Sequence, residues 1–191
     1  EGLDWNCPQH IVPRYTAAAS AAGSTGAGAA AGATVGAVAL IDRATMAYYE
    51  ALRRDALEVS AAELKRRDPT EQVLVITFRR GKSAAALRTQ PIAALVAESL
   101  ANMVGATPIK LGLIKVRGDR ASAGPSVDGV DVDVGFEFEF RREPEGWRLN
   151  FVDVSRFAAA QVIGERDLAT VVNSLATYYQ VDVEALYAPP R

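Results

Sequence analysis

The sequence predicts an α+β fold in which helices pack on one face of a curved antiparallel sheet of about four strands. From residue 42 to residue 104, apolar side chains recur at helical spacing and capping residues separate the runs. From residue 109 onward the pattern changes to alternation, with turn residues between the apolar runs. Helices followed by a group of strands indicate an α+β fold rather than an alternating α/β fold.

Capping residues predict where the helices begin. Asp42 precedes the run RATMAYYEALRRDALEV, and Ser60 opens a capping box, in which its side chain accepts a hydrogen bond from a backbone amide. Asp68, followed by a proline at the first helical position, predicts a helix over PTEQVLVITFRR, although its β-branched residues alone favour a strand. Ser83 and Thr89 predict two more helix starts.

The second half predicts four strands and a return to helix. The strands are expected over PIKLGLIKV, DRASAGP, VDVDVGFEFEF and WRLNFVDV. Alternation places Phe138, Phe140 and the valines before them on a core face, and Glu137 and Glu139 on the opposite face. Ser155 is predicted to cap one further helix and Asp167 another.

The stretch FRREPEGWRLNFVDVS, residues 140–155, combines a charged turn, a Gly-Trp pair and alternating apolar residues. With the helix-rich start and the strands after residue 109, it resembles the NTF2-like superfamily, which includes ketosteroid-isomerase-like enzymes. The resemblance covers the chain from Asp42 onward. It implies a cone-like half barrel wrapped around a helix, with an apolar pocket that members use for catalysis, binding or assembly. On this resemblance, Tyr48, Tyr49, Phe138 and Trp147 are the candidates for lining the pocket.

Three segments are predicted along the chain: an irregular N-terminal segment over 1–15, an Ala/Gly-rich segment over 16–41, and the NTF2-like domain over 42–191. The Ala/Gly-rich segment has three open interpretations. Its glycines favour a flexible linker; the repeat of Gly28, Gly32 and Gly36 is typical of closely packed membrane helices; and residues 26–31 fit a dinucleotide loop, which needs an apolar strand before it. Membrane contact is expected only if this segment inserts.

Composition and residue counts argue against a nucleic-acid partner and against a metal site. Hydrophobic residues make up 49% of the chain and charged residues 23%, as in globular proteins. The formal net charge of −2 provides no general attraction to nucleic acid, so no nucleic-acid partner is expected. Cys7 and His10 offer two zinc ligands where a structural site needs four, so no metal site is predicted. No cofactor is predicted either. One cysteine leaves the compartment open, and we slightly favour an exported or periplasmic bacterial protein over a cytoplasmic one.

Charge is distributed unevenly. Residues 42–88 contain ten basic and seven acidic side chains, whereas residues 124–154 contain three basic and eight acidic ones. The face carrying Glu137 and Glu139 is therefore predicted to be a solvated acidic surface rather than a glycosidase carboxylate pair. Glu139 is also expected to pair with Arg148 across the hairpin. A homodimer is expected to avoid this face, because like charges would repel across it.

The leading functional hypothesis is a non-enzymatic binding or assembly domain whose apolar pocket holds a small hydrophobic ligand or a segment of a protein partner. One alternative is a small NTF2-like enzyme of the isomerase or hydrolase type. For it the resemblance implies a pocket carboxylate and a tyrosine, which Tyr48, Tyr49 or Asp153 could supply, although no motif identifies a catalytic residue. A second alternative is a structural protein that forms homodimers.

Overall fold

The computed structural model describes residues 7–12, 14, 38–104 and 110–190. It divides into two compact units: a sheet unit, Glu1–Ala47 with Pro91–Val154, and a helical unit, Tyr48–Gln90 with Ser155–Arg191. The α+β class is confirmed, since the described residues form eight α-helices and two antiparallel sheets. The Ala/Gly-rich segment lies outside the described residues up to residue 37. Among the residues that are described, no helix combines the length and the apolar character needed to span a bilayer.

A short 3-10 helix, Pro8–His10, precedes the α-helices. The α-helices are α1 Arg43–Glu58, α2 Ala61–Leu64, α3 Pro69–Arg80, α4 Ala84–Thr89, α5 Ile92–Val104, α6 Val152–Ile163, α7 Leu168–Tyr179 and α8 Val183–Tyr187. The cap predictions at Ser60, Asp68, Ser83 and Asp167 are confirmed, because each side chain accepts a backbone N–H two or three residues ahead. The capping pattern at Asp68 therefore outweighs the β-branched residues of α3.

The strands are β1 Lys110–Leu111, β2 Lys115–Arg117, β3 Arg120–Ala123, β4 Pro125–Val127, β5 Val130–Asp131, β6 Phe138–Glu143 and β7 Gly146–Asn150. One sheet has the order β1-β4-β5 and the other the order β2-β3-β6-β7. The prediction of about four antiparallel strands is confirmed by the second sheet. Its core face carries Phe138, Phe140 and Leu149, which are at most 1% exposed.

The long strand predicted over VDVDVGFEFEF is wrong. Val130 belongs to β5 and is 68% exposed, and Val132 and Val134 are also exposed, whereas β6 begins only at Phe138. The chain leaves extended geometry at Gly135, whose φ of 81° lies in the left-handed region. The Gly135 amide donates to Asp133 Oδ1 at 2.9 Å, which is a side-chain turn that competes with strand pairing.

The helix start predicted at Ser155 is also wrong. Helix α6 begins three residues earlier, at Val152, whose amide donates to Asn150 Oδ1 at 3.1 Å. Ser155 lies inside the helix, 2% exposed, with its hydroxyl 3.0 Å from Tyr49 Oη. An asparagine at the end of β7 therefore provides the acceptor that the sequence pattern attributed to Ser155.

A buried carboxylate joins the start of α1 to the last strand within the sheet unit. Asp42 is fully buried and its Oδ1 accepts the Thr45 amide at 2.8 Å, so it caps the helix as predicted. Asp42 Oδ2 accepts from Asn150 Nδ2 at 2.8 Å and lies 3.6 Å from Arg141 Nε. Thr45 Oγ1 accepts the Phe151 amide at 2.9 Å. These contacts hold the helix start against the end of β7.

A buried arginine organises the helical unit. Arg79 is 1% exposed, and its guanidinium donates to the carbonyls of Asp55 at 3.0 Å, Ala56 at 2.8 Å and Val59 at 2.9 Å. It also donates to the Tyr187 carbonyl. The last carbonyls of a helix lack partners within the helix, and a cation complements their partial negative charge. Arg79 thus closes the C-terminus of α1 and ties it to the end of α8.

Candidate functional site

The helical unit contains a cleft of about 180 Å³ between α1, α3 and α6. Its apolar wall consists of Ala51 and Leu52 from α1 and Leu74 and Val75 from α3. The remaining lining side chains are polar or charged: Tyr48, Asp55, Arg67, Glu71 and Arg156.

Tyr48 lines the cleft with an arginine over its ring. The guanidinium carbon of Arg156 lies 5.7 Å from the ring centroid, within cation–π range. Burial raises the pKa of Tyr48 above its usual value, while the charge and hydrogen bond of Arg156 lower it in part and the charge of Glu71 raises it. The hydroxyl is therefore protonated at neutral pH and is available as a hydrogen-bond donor.

The two carboxylates of the cleft differ in their surroundings. Asp55 Oδ2 accepts from Arg67 Nη1 at 2.6 Å, and both side chains are about three-quarters or more buried. The Asp55 hydrogen bond is the main cause of the raised pKa of Arg67. Glu71 is exposed at the rim. Asp55 is thus neutralised by its partner, and Glu71 is the carboxylate that solvent reaches.

A second, larger groove of about 430 Å³ adjoins the cleft, since both are lined by Glu71 and Arg156. Its other lining residues are Asp68, Thr70, Phe157 and Ala160. The cleft and the groove therefore share two charged lining side chains. A ligand too large for the cleft alone can extend along the groove past Arg156.

The four pocket residues predicted from the sequence lie in different places. Tyr48 lines the cleft, but Tyr49 is 3% exposed, with its hydroxyl against Ser155 and its ring packed edge-to-face on Phe78 at 6.0 Å. Phe138 and Trp147 belong to the sheet unit and are 1% and 5% exposed. A ligand-binding role for these four residues stays a prediction, and Tyr48 is the one that lines the cleft.

The burial of Tyr49 leads to a testable pH dependence. Burial raises its pKa to about 12, although the hydrogen bond to Ser155 opposes the shift. Because the folded state holds the phenol proton more tightly than the unfolded state, this contribution to stability is complete below pH 10 and is lost as pH rises through 12. Between pH 9 and pH 12 we expect wild type to lose about 2–3 kcal/mol more unfolding free energy than Tyr49→Phe. Equal losses in urea titrations of the two proteins would contradict this assignment.

Sequence reasoning did not identify Arg156, Arg67 or Asp55 as neighbours of Tyr48. Arg156 stands more than a hundred residues away along the chain, and no periodicity links it to α1. Asp55 was the nearest signal, since it follows Tyr48 by seven residues and so returns to the same helix face.

Comparisons with protein-family models, curated proteins and solved structures find no match to the chain. Within the described ranges, no cluster of three or more His, Cys, Asp or Glu side chains is placed to hold a metal ion.

Proposed function

We propose that the chain is a non-enzymatic binding domain that takes a small hydrophobic ligand in the cleft of the helical unit. The observation that supports this most is the combination of an aliphatic wall, formed by Leu52, Leu74 and their neighbours, with a tyrosine hydroxyl and an arginine at one end. Small-molecule sites commonly pair apolar surface with a few placed polar groups. On this proposal the domain is an NTF2-like binding domain, in keeping with the α+β fold and the four-stranded antiparallel sheet.

The charges at the cleft favour a ligand with an anionic end. Asp55 is already paired with Arg67, whereas Arg156 contacts the Tyr48 ring and is exposed to solvent. A carboxylate or sulfonate can therefore bind between the Tyr48 hydroxyl and the Arg156 guanidinium, with its apolar body against Leu52. A neutral apolar molecule would make no hydrogen bond to the Tyr48 hydroxyl or the Arg156 guanidinium.

The dye 8-anilino-1-naphthalenesulfonate combines an aromatic body with a sulfonate and is a suitable probe. We expect its fluorescence to increase on binding, and we expect Ala51→Phe, which fills the cleft, to weaken binding about tenfold or more. Arg156→Gln should weaken binding by a smaller factor, of about three to ten, since it removes one charged contact at a solvated rim.

Arg88→Gln is the matched control, because Arg88 is an exposed arginine of α4 that lines neither the cleft nor the groove. It should leave the affinity within about twofold of wild type. Equal affinity of the dye for wild type and Ala51→Phe would contradict the proposed site.

An enzymatic alternative rests on one observation: Tyr48 and the carboxylates of Glu71 and Asp55 line the same cleft. A protonated tyrosine with a carboxylate base is the arrangement that the resemblance to ketosteroid-isomerase-like enzymes implies. The exposure of Glu71 and the ion pair of Asp55 favour binding without chemistry, because a general base is more effective with a raised pKa in a dry site.

A further inference from the structure

A row of four arginines crosses the four-stranded sheet, one from each strand. The strand register places Arg117 directly opposite Arg120, Arg120 opposite Arg141, and Arg141 opposite Arg148. Directly opposite residues share one face, and neighbouring strands lie about 4.8 Å apart, so the row spans about 14 Å between its outer backbone positions. We call this face the arginine row.

The register also corrects the prediction that Glu139 pairs with Arg148. Glu139 lies opposite Asn150, and Arg148 lies opposite Arg141. Arg148 instead donates to the carbonyls of Trp147 at 3.0 Å and Glu145 at 3.4 Å. Like charges directly opposite each other destabilise a sheet, so the row has an electrostatic cost in the free protein.

The carboxylates near the row offset only part of its charge. Glu137 is paired with Lys115 at 2.8 Å, and the hydrogen bonds from Lys115 and Ser122 lower the pKa of Glu137, with a smaller contribution from the charges of Lys115 and Arg117. Of the four arginines of the row, Arg141 is the one that lies beside the buried carboxylate of Asp42. Among the residues that the structure describes, no carboxylate lies within 4.0 Å of the guanidinium of Arg117 or Arg120.

The end of the row at Arg117 and Arg120 is concave. Lys115, Arg117 and Arg120 border a depression of about 300 Å³ there, and its lining also includes Ser122 and the carboxylates of Glu137 and Glu139. The concave part therefore lies at the end away from Arg148, and Glu137 there is already paired with Lys115.

From this register we infer that the arginine row is a binding site for a small soluble ligand with two or more phosphate groups, seated over Arg117 and Arg120. Guanidinium groups bind phosphate oxygens through paired N–H donors, and adjacent arginines can each hold one phosphate or share one. The bound anion would offset the repulsion between opposite arginines. The site shares no residue with the cleft in the helical unit, since all of its residues belong to the sheet unit.

Two features favour a small oligophosphate over nucleic acid. Sequence-tolerant binding of single strands needs aromatic side chains on which bases stack, whereas the residues alternating along this face are Lys115, Arg117, Ser122, Glu139 and their charged neighbours. The depression of about 300 Å³ is at the lower end of the range for small-molecule sites. A row of about 14 Å is also short for a track along a nucleic-acid backbone.

Isothermal titration calorimetry of the full chain with inorganic tripolyphosphate, at constant ionic strength, tests this inference. We expect saturable binding by wild type and a loss of affinity of about tenfold or more in Arg120→Gln, at the centre of the row. The control Arg54→Gln makes the same charge change at an exposed position of α1 and should stay within about twofold of wild type. Without ligand, Arg120→Gln should unfold at a temperature equal to or above that of wild type, because it relieves repulsion.

Three outcomes would overturn the inference: no saturable binding of tripolyphosphate by wild type, an equal loss of affinity in Arg54→Gln, or tighter binding of a 20-nucleotide single-stranded DNA than of tripolyphosphate at the same ionic strength. The last outcome would identify the row as a nucleic-acid surface. We expect Arg120→Gln to bind the dye as wild type does, because Arg120 does not line the cleft. A failure of the dye experiment would therefore count against the proposed function and not against the arginine row.

Discussion

Replacing Arg79 with methionine is expected to lower the free energy of unfolding by about 3–5 kcal/mol. Methionine fills much of the space but offers no donor, so the carbonyls of Asp55, Ala56, Val59 and Tyr187 lose their partner inside the helical unit. An acceptor left buried without a partner costs about 1–3 kcal/mol. Burial lowers the pKa of Arg79 to about 10, as expected for a cation that is removed from water.

Urea unfolding followed by the helical circular-dichroism signal measures the effect. Arg54→Met is the matched control, because Arg54 is an exposed arginine of the same helix, and its change should be within about 0.5 kcal/mol of wild type. Arg79→Lys should recover only part of the loss, since one ammonium group cannot reproduce the planar fork that reaches four carbonyls. A loss below 1 kcal/mol in Arg79→Met would show that the carbonyls find other partners.

Replacing Asp42 with alanine is expected to lower the unfolding free energy by about 2–4 kcal/mol. The change removes the cap of α1 and leaves the Asn150 amide and the Arg141 guanidinium without the carboxylate they share. The loss should exceed that of an ordinary cap, because this carboxylate is fully buried and has partners on two strands.

The chain contains its own control for this experiment. Asp68 caps α3 through a single bond to the Thr70 amide and is exposed, so Asp68→Ala should cost only about 1 kcal/mol. Asp167, the exposed cap of α7, provides a second comparison. Equal losses at Asp42 and Asp68 in the same urea titrations would mean that the contacts of Asp42 to Asn150 and Arg141 contribute little.

The helix caps were predictable because a cap is a local interaction. Ser60, Asp68, Ser83 and Asp167 each bond an amide two or three residues ahead, so the short sequence pattern contains both partners. The prediction of a cap at Ser155 was wrong because neither of the interactions that matter there is the local one that the pattern assumes. Its hydroxyl bonds Tyr49, and the acceptor for the start of α6 comes from Asn150 at the end of a strand.

The candidate sites were only partly predictable. Tyr48 was identified, but its partner Arg156 was not, since the two meet through the packing of helices far apart in the chain. The arginine row was not predicted at all, because its members come from strands of two different hairpins. Residues 124–154 carry an excess of acidic side chains, which predicted an acidic face, whereas the register aligns Arg141 and Arg148 with Arg117 and Arg120 from another hairpin.

The sequence alone determined the α+β class, the positions of most helices and the Phe-bearing core face of the hairpin, because periodicity and capping depend on neighbours within a few residues. Only the tertiary structure determined the partners of Asp42 and Arg79 and the tyrosine that lines a cleft. It also aligned four arginines across one sheet. Those features depend on strand register and helix packing, and these bring together residues whose separation along the chain leaves no local signal.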